Sequence, residues 1–402
     1  MNYKTYETAE FVGRGHPDKI ADLVSDLVCD YVKRLNKSNH RCAVETLIKN
    51  NLITLYGETF PELRPIDYHN LKIIIESRLK EFGKHFSNSL IFNFKISKQS
   101  AQIAQNVNKE ELGAGDQGVV VGYANSNPKT NQHSVPFYLS KKIIDLVYEL
   151  NKKNKLLKQN LFKDIKSQVS VVHQNNKTKI KRVILSIHHS KKLNFEDFKN
   201  EVKRVLDNYL LTNFKDYYNK DIKYDINSGG VWTYGGTFAD TGVTGRKIIV
   251  DTFGPSVAHG GGAFSGKDFT KQDRTGALVG RYIAKFISKL GGISETTVHL
   301  AFGMGINKPV TLNLNIKPEQ DLYKNNSINS INNYISTIKK TVINYFSDWK
   351  VQRWQKFLKI DKVKYSELTH NPFFNNSFVW EKAENNDLHN LILKNTEGIL
   401  NG

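Results

Sequence analysis

Apolar residues at Ile20, Leu23, Val24, Leu27, Val28, Tyr31, Val32 and Leu35 recur at i, i+3, i+4 and i+7, which predicts one amphipathic helix over 18–35. Pro17 falls in its first turn, where a missing N–H is no loss. The pattern then changes to alternation. AVETLIKNNLITLYGE (43–58) turns near Lys49-Asn50-Asn51 and predicts a β-hairpin with Glu45 and Glu58 towards the same open end. A helix over 67–83 and a strand over 89–97 follow, then the polar stretch QSAQIAQNVNKEE (99–111), which has no apolar period. GVVVGYA (118–124) predicts a buried strand and 139–151 a helix. The segment 167–190 predicts a second hairpin turning near Gln174-Asn175-Asn176, with a helix at 195–208. RKIIVDTF (246–253) predicts a strand, 254–268 a loop, and 272–290 a helix closed by Gly291-Gly292. Strands at 296–303 and 309–315, a helix at 327–346 and a loose C-terminal tail complete the chain. Hairpins alternating with helices predict α+β layers, with helices on one sheet face.

At 402 residues the chain is too long for one ordinary core, and two or three domains are expected. No apolar run is long enough to cross a bilayer, and MNYKTYETAEF lacks the features of a signal peptide, so a cytoplasmic protein with no membrane partner is expected. Cys29 and Cys42 have no zinc-type spacing and are read as small buried side chains. A formal charge of +19 invites a nucleic-acid reading. The lysines, however, occur in every region and often beside asparagine, as in NKKNKLLK (151–158), which is the pattern of solvated faces. The expectation is no nucleic acid, and a basic field that attracts small polyanions.

Three segments concentrate the chemistry. GRGHPDKIADLVSD (13–26) sets His16, Asp18 and Lys19 at a helix N-terminus, where backbone N–H groups favour phosphate and a carboxylate can hold Mg²⁺; an ordinary capped helix with exposed charges explains the same residues. GAGDQG (113–118) satisfies G-x-G-x-x-G, but a strand follows it instead of preceding it, so the dinucleotide fingerprint fails and the glycines are read as sites of close backbone approach. Residues 235–273 mix Arg246, Lys247, Lys267 and Lys271 with Asp240, Asp251, Asp268 and Asp273 on glycine-rich turns, a mixture suited to a Mg-polyphosphate. Gly261, Gly266 and Lys267 fit G-x-x-x-x-G-K, yet Asp268 stands where a P-loop needs Ser or Thr, and Lys267 lies far beyond the strand expected at 246–253.

Together, GHPDKIAD (15–22), GAGDQG (113–118), DTGVTGRKIIVDTFG (240–254) and HGGGAFSGKDFTKQDR (259–274) resemble the S-adenosylmethionine synthetase family, over a span from Glu10 to FVWEK (378–382). The resemblance implies three similar α/β sandwich domains with pseudo-threefold symmetry, at 1–100, 110–235 and 236–395, which exchange terminal strands, and a mobile active-site loop at 99–109. It implies a homodimer with active sites at the subunit interface, or a homotetramer. The implied reaction is attack of the methionine thioether on C5′ of ATP, followed by hydrolysis of the triphosphate to phosphate and diphosphate. By match to the family motifs, His16, Lys166, Arg246 and Lys267 are implied as catalytic, and these four with Asp164, Trp232, Asp240, Lys247 and Ala263 as ATP-binding. Glu58, Gln99, Asp240 and Lys271 are implied for methionine, Asp18 and Asp273 for two Mg²⁺, and Glu45 for one K⁺ per subunit. The sequence departs from the family at Gly13-Arg14, which should add a cation near the phosphate end, at Val231-Trp232, and at Thr237-Phe238-Ala239.

Overall fold

The computed structural model describes residues 4–83, 86, 90–100, 113–175 and 177–400. Its strands are β1 (Thr5–Val12), β2 (Arg41–Lys49), β3 (Leu52–Phe60), β4 (Ile91–Lys98), β5 (Gly118–Asn125), β6 (Leu161–Gln174), β7 (Lys177–His189), β8 (Lys223–Ile226), β9 (Gly242–Val243), β10 (Ile293–Phe302) and β11 (Thr311–Pro318). Its helices are α1 (Pro17–Leu35), α2 (Pro65–Leu79), α3 (Val135–Lys153), α4 (Phe195–Asn213), α5 (Gln272–Ile287), α6 (Leu322–Asn325), α7 (Ile328–Phe346), α8 (Val351–Phe357), α9 (Val379–Lys382) and α10 (Asn386–Thr396). The strands form three sheets in the orders β1-β6-β7-β8, β4-β3-β2-β9 and β11-β10-β5. Helices α3 and α4 pack on the first, α1 and α2 with the second, and α5 and α7 on the third. The chain is thus an α+β protein of three helix-on-sheet units.

Each sheet borrows a strand from elsewhere in the chain. β1 pairs antiparallel with β6, from Thr5 opposite His173 to Val12 opposite Lys166. β5 pairs with β10, and the two-residue β9 with β2 at Leu47 and Ile48. The two expected hairpins form as β2–β3 and β6–β7. Asparagine makes both turns feasible, because Asn50 and Asn175 adopt left-handed backbone angles (φ 52° and 51°) that cost Asn less than most residues.

Two expectations are corrected. Residues 246–253 are not a strand. Their backbone closes on itself, with Asp251 N–H donating to Lys247 O at 2.9 Å and Gly254 N–H to Ile249 O at 3.0 Å, while the Asp251 carboxylate is drawn inward to buried Lys19. The C-terminal tail is not loose. Trp380 is fully buried and its indole N–H donates to Pro372 O at 2.9 Å, and α10 packs on α7 through Leu388 and Ile392. Phe373 is also buried, and both cysteines are buried as expected.

The tail is fastened by charge as well. Glu381 accepts from Arg281 Nε at 2.8 Å and from Lys285 Nζ at 2.7 Å, with all three side chains buried. Arg281 also donates to the carbonyls of Tyr123 and Asn131, tying α5 to the strand and turn beside it. The approach of α5 to β5 is close because Gly280 faces Gly122, where a Cβ would fall 2.0 Å from the Gly280 carbonyl carbon. Glu381→Ala leaves a buried guanidinium uncompensated, and a loss of about 3–5 kcal/mol is expected. Urea unfolding of the variant checks this, and an unchanged midpoint would remove the network from any role in stability.

Candidate active site

The site is built on α1. Asp18, Asp22, Asp26 and Asp30 stand four residues apart, so they line one face of the helix, while its apolar stripe packs on β2 and β3. Each takes a backbone N–H group from a segment distant in sequence. Asp18 accepts from Val243 at 2.9 Å, Asp22 from Gly245 at 2.9 Å, Asp26 from Gly266 at 2.9 Å, and Asp30 from Tyr365 at 2.7 Å. Asp26 further binds Arg274 Nη2 at 2.8 Å and the Thr369 hydroxyl at 2.7 Å. Of these four, only Asp18 figures among the residues singled out in the sequence. The others were legible as D-x₃-D-x₃-D-x₃-D, a carboxylate stripe beside the apolar face of the helix.

At the start of α1, His16 is the N-cap and its Nδ1 accepts from Asp18 N–H at 3.2 Å. Burial first, and then the Lys247 charge, pulls its imidazole down to about 4, so the ring is neutral near pH 7. With Nδ1 an acceptor, the proton lies on Nε2. The Asp18 carboxylate accepts from Lys247 Nζ at 2.6 Å. Burial works against its charge, but the Lys247 hydrogen bond and the Val243 N–H hold it below the usual carboxylate range. The His16 ring also feels Lys166 and Asp240, so these five groups form one cluster. Asp164 adjoins it, accepting from Gly236 N–H at 2.9 Å through one oxygen, while the other has no partner among the described residues.

A second cluster lies on 260–273. Lys267 Nζ meets Asp273 Oδ2 at 2.5 Å, and Gly262 is pressed against the same carboxylate, since a Cβ there would fall 2.0 Å from Asp273 Oδ1. Lys271 Nζ reaches the carbonyl of Gly115 at 3.3 Å, bringing the GAGDQG segment alongside. Ala263 sits against Gly245, which joins the two clusters. Asp268 turns away from both. Its carboxylate accepts from Cys42 N–H and Thr270 N–H, each at 2.8 Å, clamping the loop to the edge of β2. The loop is therefore unlike a P-loop in both respects: no strand precedes it, and the residue after the lysine is a fastening.

The remaining candidates are spread along the sheet. Lys267 bridges to Ala43, Ala43 pairs with Glu58, and Glu58 with Ser97. Glu45 pairs with Tyr56, which puts it on the same sheet face as Glu58, one diagonal step away. Gln99 is buried beyond β4, where its N–H donates to Thr59 O at 3.0 Å. The rest of the 99–109 loop lies outside the described residues save Ser100. Trp232 rests against His188, ring centroids 5.8 Å apart, and Arg246 is exposed. No hydrogen bond or ion pair among the described residues joins the side chains of Trp232, Arg246 or Glu45 to either cluster. Arg14 does not add a cation to the phosphate end. Its guanidinium lies 4.6 Å over the Tyr148 ring, a cation–π contact that holds it aside.

The whole chain has relatives. Residues 4–110, 111–232 and 234–382 match, respectively, the N-terminal, central and C-terminal domains of S-adenosylmethionine synthetase. The chain belongs to the S-adenosylmethionine synthetase family. It is 32% identical over 381 residues to the S-adenosylmethionine synthase of Mycoplasmopsis pulmonis, covering 90% of this chain and 98% of that protein. It is 37% identical over 319 residues to the S-adenosylmethionine synthase of Helicobacter pylori, covering 77% and 80%. A solved structure described as an unusual S-adenosylmethionine synthetase from Campylobacter jejuni superposes with a TM-score of 0.79 at 25% identity, covering 98% of this chain and all of that one. The activity is that of the family, the synthesis of S-adenosylmethionine, and the enzyme is a transferase. No helix among the described residues is long and apolar enough to cross a membrane.

Burial raises Asp164 to about 6, against the opposing Gly236 hydrogen bond. Between an unfolded value near 3.8 and this folded value the folded state holds the extra proton, so stability falls as pH rises through that window and levels off above it. Asp164→Asn keeps the acceptor for Gly236 and removes the titration. Melting temperatures of variant and wild type are expected to draw apart in favour of the variant between pH 4 and pH 7. A constant difference would show that Asp164 titrates normally.

Proposed function

We propose that the chain joins ATP and L-methionine at the junction of α1 with the 240–273 loops, and that the motif-matched residues carry the roles the family resemblance implies. The observation that carries this reading is the meeting of His16, Asp18 and Lys247 with Lys267 and Asp273 across one close backbone contact, Gly245 on Ala263. In the proposed reaction the methionine sulfur donates a lone pair to C5′ while the C5′–O bond breaks, and the electron pair leaves on the triphosphate. A neutral sulfur needs no general base, so catalysis rests on positioning and on stabilising the departing oxygen. His16, with its proton on Nε2, donates a hydrogen bond to that oxygen. Lys166, Arg246, Lys247 and Lys267 bind phosphate oxygens, and Lys267 serves the later hydrolysis to phosphate and diphosphate. Asp164, Trp232, Asp240 and the backbone at Ala263 hold the nucleoside, with Asp240 shared by methionine, which Glu58, Gln99 and Lys271 surround.

The family is metal-dependent, and Asp18 and Asp273 are proposed to hold one Mg²⁺ each. The residues present fit that role. No three His, Cys, Asp or Glu side chains converge among the described residues, and Mg²⁺ needs no such cage, being commonly held by one or two carboxylates with phosphate oxygens and water. When bound, the ions supply positive charge to the triphosphate. Glu45 offers one hard carboxylate oxygen to K⁺. A homodimer with the site at its interface is supported by the outer face of the β4-β3-β2-β9 sheet, where Leu47, Leu52, Tyr56 and Ile91 are exposed together around Glu45.

Incubation with ATP, methionine, Mg²⁺ and K⁺ should yield a sulfonium with equal phosphate and diphosphate; ADP without sulfonium would sink the reading. His16→Ala should lower kcat by about 10²- to 10³-fold, as for other single donors to a developing oxyanion. Trp232→Phe should shift the KM for ATP more than that for methionine, and the reverse pattern would move Trp232 out of the nucleotide site.

A further inference from the structure

Behind the 260–273 loop lies a cavity of about 550 Å³ that none of the proposed substrate residues lines. Its walls come from the end of α1 and the turn after it, from α8, and from Asp268, Phe269 and Thr270 of the loop itself. Four cations border it, Lys33, Lys37, Arg41 and Lys356, against the carboxylates of Asp268 and Asp361. Asp268 is already committed, both oxygens accepting backbone N–H groups. Among the described residues no carboxylate forms an ion pair with Lys33, Lys37 or Lys356. Lys33 instead donates to Val363 O at 2.9 Å and lies 5.4 Å over the Phe269 ring, and its partial burial, which outweighs the nearby Asp30 and Asp361, lowers its affinity for a proton. Arg41 is buried, with Nη1 donating to His40 O at 2.7 Å. Cations drawn from two separated stretches of chain, 33–41 and α8, around a half-open cavity, with an aromatic wall beside them, form a receptor for an anion.

We propose that this cavity is a second anion site, taking a phosphate-bearing small molecule whose anionic oxygens meet Lys33, Lys37, Arg41 and Lys356 while Phe269 walls the remainder. The site is coupled to the first by covalent continuity. Asp268, Phe269 and Thr270 line the cavity, and Lys267 and Lys271 flank them on the substrate side. An occupant that orders the middle of the loop therefore fixes the lysines at both of its ends. This coupling rests on the proposed roles of Lys267 and Lys271; the anion site itself does not.

Calorimetric titration of the full chain with diphosphate, without Mg²⁺, tests the site. Two binding events per chain are expected. Lys37→Glu with Lys356→Glu, both exposed positions outside the substrate site, should remove one event or weaken it at least tenfold, and Lys267→Ala should weaken the other. If the Lys267 variant retains both events while the double variant loses one, the cavity stands and the substrate-site reading fails. A double variant that titrates as the wild type does overturns the proposal, as does a single event lost only with Lys267. Lys37→Gln with Lys356→Gln, with an unchanged melting temperature, separates lost cations from added repulsion and should lose the same event. Ribose 5-phosphate in a parallel titration distinguishes a sugar phosphate from an inorganic occupant by which competes for the event that depends on Lys37 and Lys356.

Discussion

Four aspartates spaced one helical turn apart on α1 organise the molecule. A carboxylate in a protein interior is costly unless hydrogen bonds satisfy it. Asp22 and Asp26 are fully buried, and Asp18 nearly so. The solution is to aim backbone N–H groups at each from loops some 220–340 residues distant in sequence, at Val243, Gly245, Gly266 and Tyr365. Those loops cannot shift without exposing a buried charge, so the helix serves as a ruler against which the functional segments are set. Lys19 completes it from within, paired with both Asp22 and Asp251.

This arrangement places irregular, glycine-rich chain on a rigid support, which is what a site for a flexible polyphosphate requires. The loops gain freedom of approach from glycine and lose freedom of position to the aspartates. Acid and base are also interleaved by geometry: Lys247 on Asp18 and Lys267 on Asp273 are each a cation and a hard anion within hydrogen-bond reach. The charges that give the chain its +19 are thus divided between a solvated exterior and paired groups inside, those at the junction and the Arg281–Glu381–Lys285 network beneath the tail.

The strongly periodic parts of the fold were legible. Helix α1 and both hairpins follow from local pattern because their two faces meet different environments, and the strand after GAGDQG follows from a short continuous apolar run that is buried on both faces. Residues 246–253 were not, since a run of β-branched residues signals burial as well as extension, and the local turn from Lys247 to Asp251 with the Lys19 ion pair decides between them. The fastening of the tail was half legible: its aromatic residues read as packing on a core, whereas Glu381 gains its meaning only from Arg281 and Lys285 a hundred residues earlier. Within the site, the motifs marked His16, Asp18, Lys267 and Asp273, whereas Asp22, Asp26 and Asp30 were read as part of an amphipathic pattern. Pattern alone assigns a polar face to water, and only the tertiary structure reveals that this one faces backbone.

The exchange of strands among the three sheets bears on how the chain is made. β1 must wait for β6, some 160 residues later, before it has an antiparallel neighbour, and Asp30 must wait for Tyr365 and Ser366. During synthesis α1 is therefore made long before the residues that complete its hydrogen bonds, and contacts so distant in sequence make closure slow. A ribosome carrying the first hundred residues holds an unfinished sheet and a helix with an acidic stripe unsatisfied by anything but water. That stripe, costly when buried alone, keeps the nascent helix soluble until the loops that will cover it arrive.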